Sequence, residues 1–480
     1  MLNTRGGSFD SIILILGKMV QIAVAFLALR TMTSLLSEEE VARYYTLLSV
    51  FTLLNFAFLN GPGQFYNRKI VKLRDSGKLF SGTMVLLMAR LVLTILALLT
   101  CFLIYYLFSF DAFFTIEAFL LVVLVTLVSG TSLVLINAIN ILGYRLYFVQ
   151  LNTLYLLLGL LAAIIIVNLY SNTAVGWALG LAFGQLIIIL PAILKIKKLN
   201  QLSNVVDWRD RSVLKKALKF CIPIVATLFL QWGNNSFYRF AIGDLYSIDV
   251  LAGIAVGLAV SMSIFGAFES LVNQYYLPMF YQEIAHADLA GRSRIFNSFF
   301  QPILSMYAAL AIFVAVFSQE ILFILVDSKF GHVWVYVSIG ACIEFFRASS
   351  NVLYWVSQSE ESTVGTTFPY LAGFLAIVAS LYLIDVGTFY WLIPAMIALC
   401  SLIVFIMMYF FMGRLFYIDL SSVNFRMILM MSVVFLAVRY SYEPVNIYSS
   451  ILFLVLPGGG LLLQLYMSHR DFIRRLNQGG

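Results

Sequence analysis

Charged side chains lie well inside long apolar stretches of this sequence, among them Lys18, Arg30, Arg90, Arg239 and Arg347 against Glu269 and Glu344. A charge at the centre of a bilayer costs ~2.5–3.5 kcal/mol on insertion scales, so such residues face protein, water or a bound ion rather than lipid. Five cations against two carboxylates suggest an anionic cargo. Lys18 lies well inside its stretch, with Gln21 one turn on. It either faces a cavity or snorkels to the interface. Arg30 is about 120° away around the same helix and nearer its far end, as a cavity residue or an interface anchor. Arg90 lies some ten residues into the third stretch and is a further cavity candidate.

The seventh stretch carries Gln231, Asn235 and Arg239 at intervals of four, with Asn234 and Ser236 beside them. A continuous helix would bring the three onto one face. That stripe is expected to face the protein interior, with hydrogen bonding between helices as the plainer reading and snorkelling as the alternative for Arg239. Glu344 and Arg347, at i and i+3, can pair on one helix. The sharper reading makes Arg347 a cargo contact whose charge Glu344 masks. Glu269 has no partner nearby in the sequence and is either an ion site or a wetted helix end. Glu269 and Glu344 are therefore the candidates for ion coupling. The expected cargo-binding set is Lys18, Arg30, Arg90, Arg239, Arg347, Gln231, Asn234 and Asn235.

Other chemistries lack their residues. No Walker phosphate loop or zinc-protease motif occurs. Cys101, Cys221, Cys342 and Cys400 are dispersed in or beside apolar stretches, and His286, His332 and His469 are isolated. No CxxC pair or Cys/His cluster suggests a metal site. The expectation is a non-enzyme with no catalytic residue, cofactor or metal.

The elements that must position these side chains are membrane helices. Of 480 residues, 62% are hydrophobic and 11% charged, against ~25% charged in an ordinary soluble domain. The mean hydropathy is +0.96. A spanning helix needs ~20 apolar residues. Fourteen stretches qualify: 10–34, 42–62, 80–108, 117–141, 149–169, 174–194, 218–243, 249–272, 298–318, 334–356, 366–386, 389–412, 426–441 and 446–467. The fold class expected is an all-α polytopic membrane protein.

Alternate connections carry the Lys/Arg excess that marks a cytoplasmic side. Arg68, Lys69, Lys72, Arg74 and Lys78 lie between the second and third stretches, and Lys195, Lys197, Lys198, Arg209, Arg211, Lys215, Lys216 and Lys219 between the sixth and seventh. The opposite connections are sparse or acidic, as at Glu38, Glu39 and Glu40. Both termini are thus expected in the cytoplasm, and no signal peptide is expected at MLNTRGGSFD. The net charge of +7 follows from topology, so no nucleic-acid partner is expected. The 195–219 segment has periodic apolar residues and reads as an amphipathic helix on the inner membrane surface.

A faint internal repeat relates EVA at 40–42 and QFY at 64–66 to DVLA at 249–252 and NQYY at 273–276. An even number of stretches separates them, so the halves would run parallel, a pattern that puts cargo sites between halves.

Four segments carry a resemblance to a known family: LSEEEVARYYTLLSVFTLLNFAFLNGPGQFYNRKI, LKKALKFCIPIVATLFLQWGNNSFYRFAIGDLYSIDVLAGIAVGLA, INAINILGYRLYF and ILFILVDSKFGHVWVYVSIGACIEFFRASS. In order and spacing they resemble the polysaccharide-transporter branch of the multidrug/oligosaccharidyl-lipid/polysaccharide (MOP) exporter superfamily, including the Wzx-type O-antigen flippases. The likeness runs over nearly the whole chain, although each motif is loose. It implies two six-helix lobes in a V-shaped, MATE-like arrangement plus two C-terminal helices. The corresponding segments are an N-terminal lobe at 1–195, a basic linker at 196–217, a C-terminal lobe at 218–412 and a helix pair with a basic tail at 413–480. It further implies alternating access through a cationic central cavity. That cavity would pass an undecaprenyl-pyrophosphate-linked oligosaccharide, an O-antigen or capsule unit, across a bacterial inner membrane. Membrane lipids and polymerase or glycosyltransferase partners are implied with it. The chain departs from many relatives at Tyr238, where they carry an acidic residue before the seventh-helix Arg, which puts ion coupling there in doubt. The rivals are a lipid II flippase, a cation-coupled multidrug exporter and a membrane glycosyltransferase or polymerase. Only the last of these would call for a large outer loop with catalytic residues.

Overall fold

A bilayer offers the backbone no hydrogen-bond partner, so apolar runs of this length must close their bonds internally as helices. The computed structural model describes residues 7–108, 110, 114–199, 211–284, 287–360, 364–420, 425–441 and 447–479. Among them the regular structure is helical throughout, with no strand. Each of the fourteen expected stretches carries helix. Among the described residues, twelve spans are long and apolar enough to cross a membrane. The tenth and thirteenth stretches complete the set as helices that are, respectively, more polar and shorter. The chain is a multi-pass membrane protein.

Contacts divide the chain into two compact units, residues 1–248 and 249–480. The sequence-based division lay at 196–217. The difference arises because the seventh stretch packs on helices of the first unit. Residues 200–210 of the expected amphipathic linker lie outside the described residues.

The first unit begins with α1 (Gly7–Leu35), followed by α2 (Glu38–Leu54), a π turn (Asn55–Leu59) and α3 (Asn60–Asp75), which together form the second span. Ser37 caps α2 by accepting from the Glu40 N–H, and Glu38, Glu39 and Glu40 complement the helix dipole. The π turn has a local cause. Pro62 lacks the N–H that would close an α-helical bond to the Phe58 carbonyl, and its ring crowds that position. The helix absorbs this with one wider turn, whose closing bond runs from Asn60 N–H to Asn55 O. Next come α4 (Leu79–Leu107), then α5 (Ile116–Ser129) and α6 (Thr131–Ile141), two halves of one span interrupted at Gly130. The unit closes with α7 (Arg145–Leu169), α8 (Ala174–Leu199), α9 (Arg211–Ser236) and α10 (Tyr238–Leu245).

Small residues set the closest approach in this unit. A Cβ at Gly180 of α8 would lie 2.2 Å from the Ala163 Cα of α7, and one at Gly184 would lie 2.3 Å from the Gly159 nitrogen. This is the small-residue packing that lets helices touch in lipid.

The second unit holds α11 (Ile248–Ile284), α12 (Leu289–Val316), α13 (Ser318–Leu325), α14 (Trp334–Ser359), α15 (Val364–Leu383), α16 (Leu392–Met412), α17 (Phe425–Ser441) and α18 (Ile447–Gly479). Its core is aromatic: Phe280, Phe296, Phe299, Phe300 and Phe416 are fully buried, with Trp355 against Phe280. The last two helices dock on α12 and α13. Phe435 stacks edge-on to Phe313 and Phe317, and Arg439 pairs with the buried Glu320 at 3.3 Å. Where the sequence suggested a span ending at 467 and a tail, α18 runs on to Gly479.

The faint repeat has a structural counterpart. The second span is 38 residues long and α11 is 37. Each follows its predecessor after a two-residue connection. At 1.5 Å per residue each reaches about 55 Å, well beyond the ~30 Å hydrocarbon layer.

Candidate functional site

The buried cations of the first unit are placed by its helix interruptions. Arg90 on α4 is 3% exposed. Its Nη1 donates to the Leu59 carbonyl at 3.1 Å, at the end of the π turn, and its Nε donates to Thr131 Oγ1 at 3.0 Å, just past the break at Gly130. The guanidinium lies against Gly63 and Gly130, where no side chain competes for the space. Its Nη2 is buried and donates to nothing among the described residues.

Arg239 on α10 is 5% exposed, so it does not snorkel. Its Nη1 donates to Ser49 Oγ at 3.0 Å and to the Tyr45 carbonyl at 3.4 Å, both on α2, and its Nε donates to Tyr238 Oη at 3.1 Å. The guanidinium also lies 5.2 Å from the Tyr45 ring centroid and 5.4 Å from that of Tyr238, within cation–π range. Tyr238, the departure from the family pattern, is thus a neutral partner of Arg239. Beside it, Trp232 Nε1 donates to the Ser49 carbonyl at 2.9 Å.

The expected polar stripe on the seventh stretch does not form as one face. The helical run is interrupted at Phe237 between α9 and α10, and Arg239 lies just past that interruption. Arg239 is buried against α2, Gln231 is half-buried and Asn235 is exposed. Asn234 is the buried amide of the group, and its Nδ2 donates to the Leu230 carbonyl at 2.8 Å. On α1, Lys18 and Arg30 are both half-buried, and Gln21 is buried.

The ionisable residues of the second unit converge. Arg347 Nη2 lies 2.7 Å from Glu344 Oε2 on its own helix, α14, and 2.8 Å from Glu269 Oε2 on α11. Arg347 Nε adds a bond to Glu344 Oε2 at 2.8 Å, and Asn351 Nδ2 donates to Glu269 Oε1 at 2.7 Å. Glu269, which had no partner nearby in the sequence, finds two on a helix more than seventy positions away. α11 and α14 meet closely here: Ser261 Oγ donates to the Val337 carbonyl at 2.7 Å, and a Cβ at Gly340 would lie 2.8 Å from Ser261 Oγ.

Sequence reasoning missed Asn351, Ser49, Tyr45 and Thr131. Asn351 had a signal, since with Glu344 and Arg347 it completes an i, i+3, i+7 face. The other three are ordinary residues of apolar helices and become partners only through packing.

No protein-family model matches the chain, and no curated protein matches it in sequence. Solved structures do match in shape. The lipid II flippase MurJ, in an inward closed conformation, aligns with a TM-score of 0.68 at 13% identity, over 97% of this chain and 99% of that one. A MOP superfamily transporter from Pyrococcus furiosus with a binding pocket of reverse polarity aligns at 0.56 and 14%, over 85% and 96%. A eukaryotic MATE transporter aligns at 0.53 and 14%, over 84% and 91%. The chain has the MOP transporter fold. The two units hold their embedded charges differently. Lys18, Arg90 and Arg239 of the first make no ion pair among the described residues. In the second, one guanidinium is shared by two carboxylates. No group of three or more His, Cys, Asp or Glu suited to a metal ion occurs among the described residues.

Proposed function

We propose that this protein is a flippase for a lipid-linked anionic glycan, an undecaprenyl-pyrophosphate-linked O-antigen or capsule unit, which it moves from the cytoplasmic to the outer leaflet of a bacterial inner membrane. The carrying observation is positive charge without counter-charge: Arg90 and Arg239 are buried among neutral partners. A pyrophosphate leaving water needs cations and N–H donors in place of its hydration. A cationic drug would meet repulsion there, which disfavours the multidrug-exporter reading. Lys18 and Arg30, with the amides Gln231, Asn234 and Asn235, are the further cargo contacts in this reading. The cargo passes by alternating access through a cationic cavity, without covalent chemistry. Both termini and the 196–217 connection lie in the cytoplasm, as the Lys/Arg asymmetry requires. The enzymes that build and polymerise the glycan are its functional partners.

The direct test reconstitutes the purified protein in vesicles with a lipid-pyrophosphate oligosaccharide in the inner leaflet. Its appearance in the outer leaflet is read by lectin or enzymatic access. Flipping should require the protein and should weaken when Lys18 or Arg239 is neutralised. Equal scrambling with and without protein would sink the proposal.

A second reading, lipid II as cargo, is favoured by the MurJ alignment over nearly the whole of both chains. The same vesicles loaded with lipid II discriminate: faster movement of lipid II than of the oligosaccharide carrier would select that cargo instead.

A further inference from the structure

We infer that the cations gathered where α3 meets α9 form a binding site for an anionic phospholipid, with its phosphate between Lys69 and Lys216 and an acyl chain along the exposed apolar side of α9. The site begins with a floor of two rings. Phe65 of α3 and Phe220 of α9 lie in tilted contact, 5.7 Å between centroids. Lys69 Nζ sits 4.1 Å from the Phe65 centroid, and the Arg68 guanidinium carbon sits 5.5 Å from that of Phe220. Each ring holds its cation by cation–π attraction.

The packing of the two helices also crowds like charges. Lys69 lies within electrostatic reach of Lys72 on its own helix and of Lys216 on α9. Such crowding raises the energy of the fold until an anion sits among the cations. The chain's described carboxylates do not supply one. Over the described parts of α3, α4, α6, α7, α8 and α9 the sole carboxylate is Asp75, and Arg74 takes it at 3.1 Å. Arg68, Lys69, Lys72 and Lys216 make no ion pair among the described residues. Asp207 and Asp210, ahead of α9 in the sequence, lie outside the described residues. The Lys/Arg bias of cytoplasmic connections accounts for cations on this side of the unit. It does not require them to converge from two helices onto one pair of rings.

The neighbouring surface selects the occupant. Lys215, Leu218, Lys219 and Ile222 recur at i, i+3, i+4 and i+7, so they share one face of α9, and all four are exposed. Val71 of α3 is exposed as well. Within two turns that face passes from cations to bare apolar side chains. A phospholipid presents phosphate and then acyl chain in the same order, whereas a soluble anion would engage only the cationic half. The bound lipid ties the end of the second span to α9. The inference does not depend on the cargo reading.

The test uses the full-length protein in phosphatidylcholine nanodiscs doped with phosphatidylglycerol that carries a diazirine near the head of one acyl chain. After illumination, peptide mass spectrometry quantifies adducts at Val71 and across Leu218–Ile222. The same diazirine on phosphatidylcholine is the neutral comparison, and the anionic probe should label the wild type severalfold more. A lysine beside an anionic lipid contributes about fivefold in binding. Lys69→Gln with Lys216→Gln should therefore cut the anionic adduct at least about fivefold. Lys197→Gln with Lys198→Gln removes the same charge elsewhere in the unit and should leave the adduct unchanged. Equal labelling by the two probes overturns the proposal. So does an equal fall in both double variants, which would reduce the effect to net charge. Displacement of the anionic probe by millimolar inorganic phosphate, or by lipid pyrophosphate at a level equal to the probe's, also overturns it, reassigning the cluster to a soluble anion or to the cargo. If the first double variant does not fold, the two-probe comparison on the wild type still decides.

Discussion

Arg239 Nη1 donates to Ser49 Oγ at 3.0 Å, while Trp232 Nε1 takes the carbonyl of the same serine at 2.9 Å. The two donors lie on either side of the helix break at Phe237, so Ser49 ties α9 and α10 together against α2. Those helices belong by contact to the first unit, and only two residues separate α10 from α11 of the second. Ser49→Ala deletes the hydroxyl acceptor and leaves Arg239 Nη1 with the longer bond to Tyr45. The expected loss is about 1–3 kcal/mol, the cost of an unsatisfied buried donor. Ser49→Thr should restore most of it. A thermal-unfolding series of the three proteins checks this; equal midpoints would show that the bond contributes nothing.

Arg90 separates a charge role from a bracing role. Lysine keeps the charge but has no planar fork, and the fork here reaches the Leu59 carbonyl and Thr131 at once. Arg90→Lys is expected to lose about 1–3 kcal/mol of stability. If Arg90 also meets the cargo, its flipping rate at matched folded-protein level should stay above that of Arg90→Gln. A lysine variant as stable as wild type would refute the bracing role.

The α7–α8 seam sets a steric limit. Any β-carbon at Gly180 or Gly184 enters backbone atoms of α7 at well under contact distance. Gly180→Ala and Gly184→Ala should therefore separate the helices and sharply reduce monodisperse protein. Gly266 on α11 is the control, since a Cβ there meets nothing within 4 Å. Gly266→Ala should be neutral or stabilising by up to about 1 kcal/mol. Size-exclusion profiles and melting midpoints compare the three.

Arg347 should be intolerant of single neutralisation. Arg347→Met leaves two carboxylates uncompensated, and breaking such a buried pair costs about 3–5 kcal/mol. Adding Glu269→Gln and Glu344→Gln to Arg347→Met removes every charge and should recover most of that loss. A triple variant less stable than the single one would contradict this account of the cluster's electrostatics.

Much of the architecture is legible in the letters. All fourteen apolar stretches became helix, because the bilayer and the backbone leave a run of that length no other solution. EVA and DVLA, the openings of the faint repeat, begin the two longest helical spans among the described residues. The Glu344–Arg347 pair followed from i, i+3 spacing alone.

What the sequence by itself determined, then, is local: which segments are helical, which charges are embedded, and which neighbours share a helix face. Tertiary structure decided the partners. The stripe through Gln231, Asn235 and Arg239 assumed three equivalent positions, and packing left Asn235 exposed while it buried Arg239 against α2. Arg90 showed no partner in the sequence, and the two interruptions at the π turn and at Gly130 supply the Leu59 carbonyl and Thr131 that hold it. Glu269 looked solitary until α14 packed beside α11. The physical reason is common to all three. An embedded charge is satisfied by whatever donor or acceptor packing brings within about 3 Å, and that distance depends on helix contacts between residues tens to nearly two hundred positions apart.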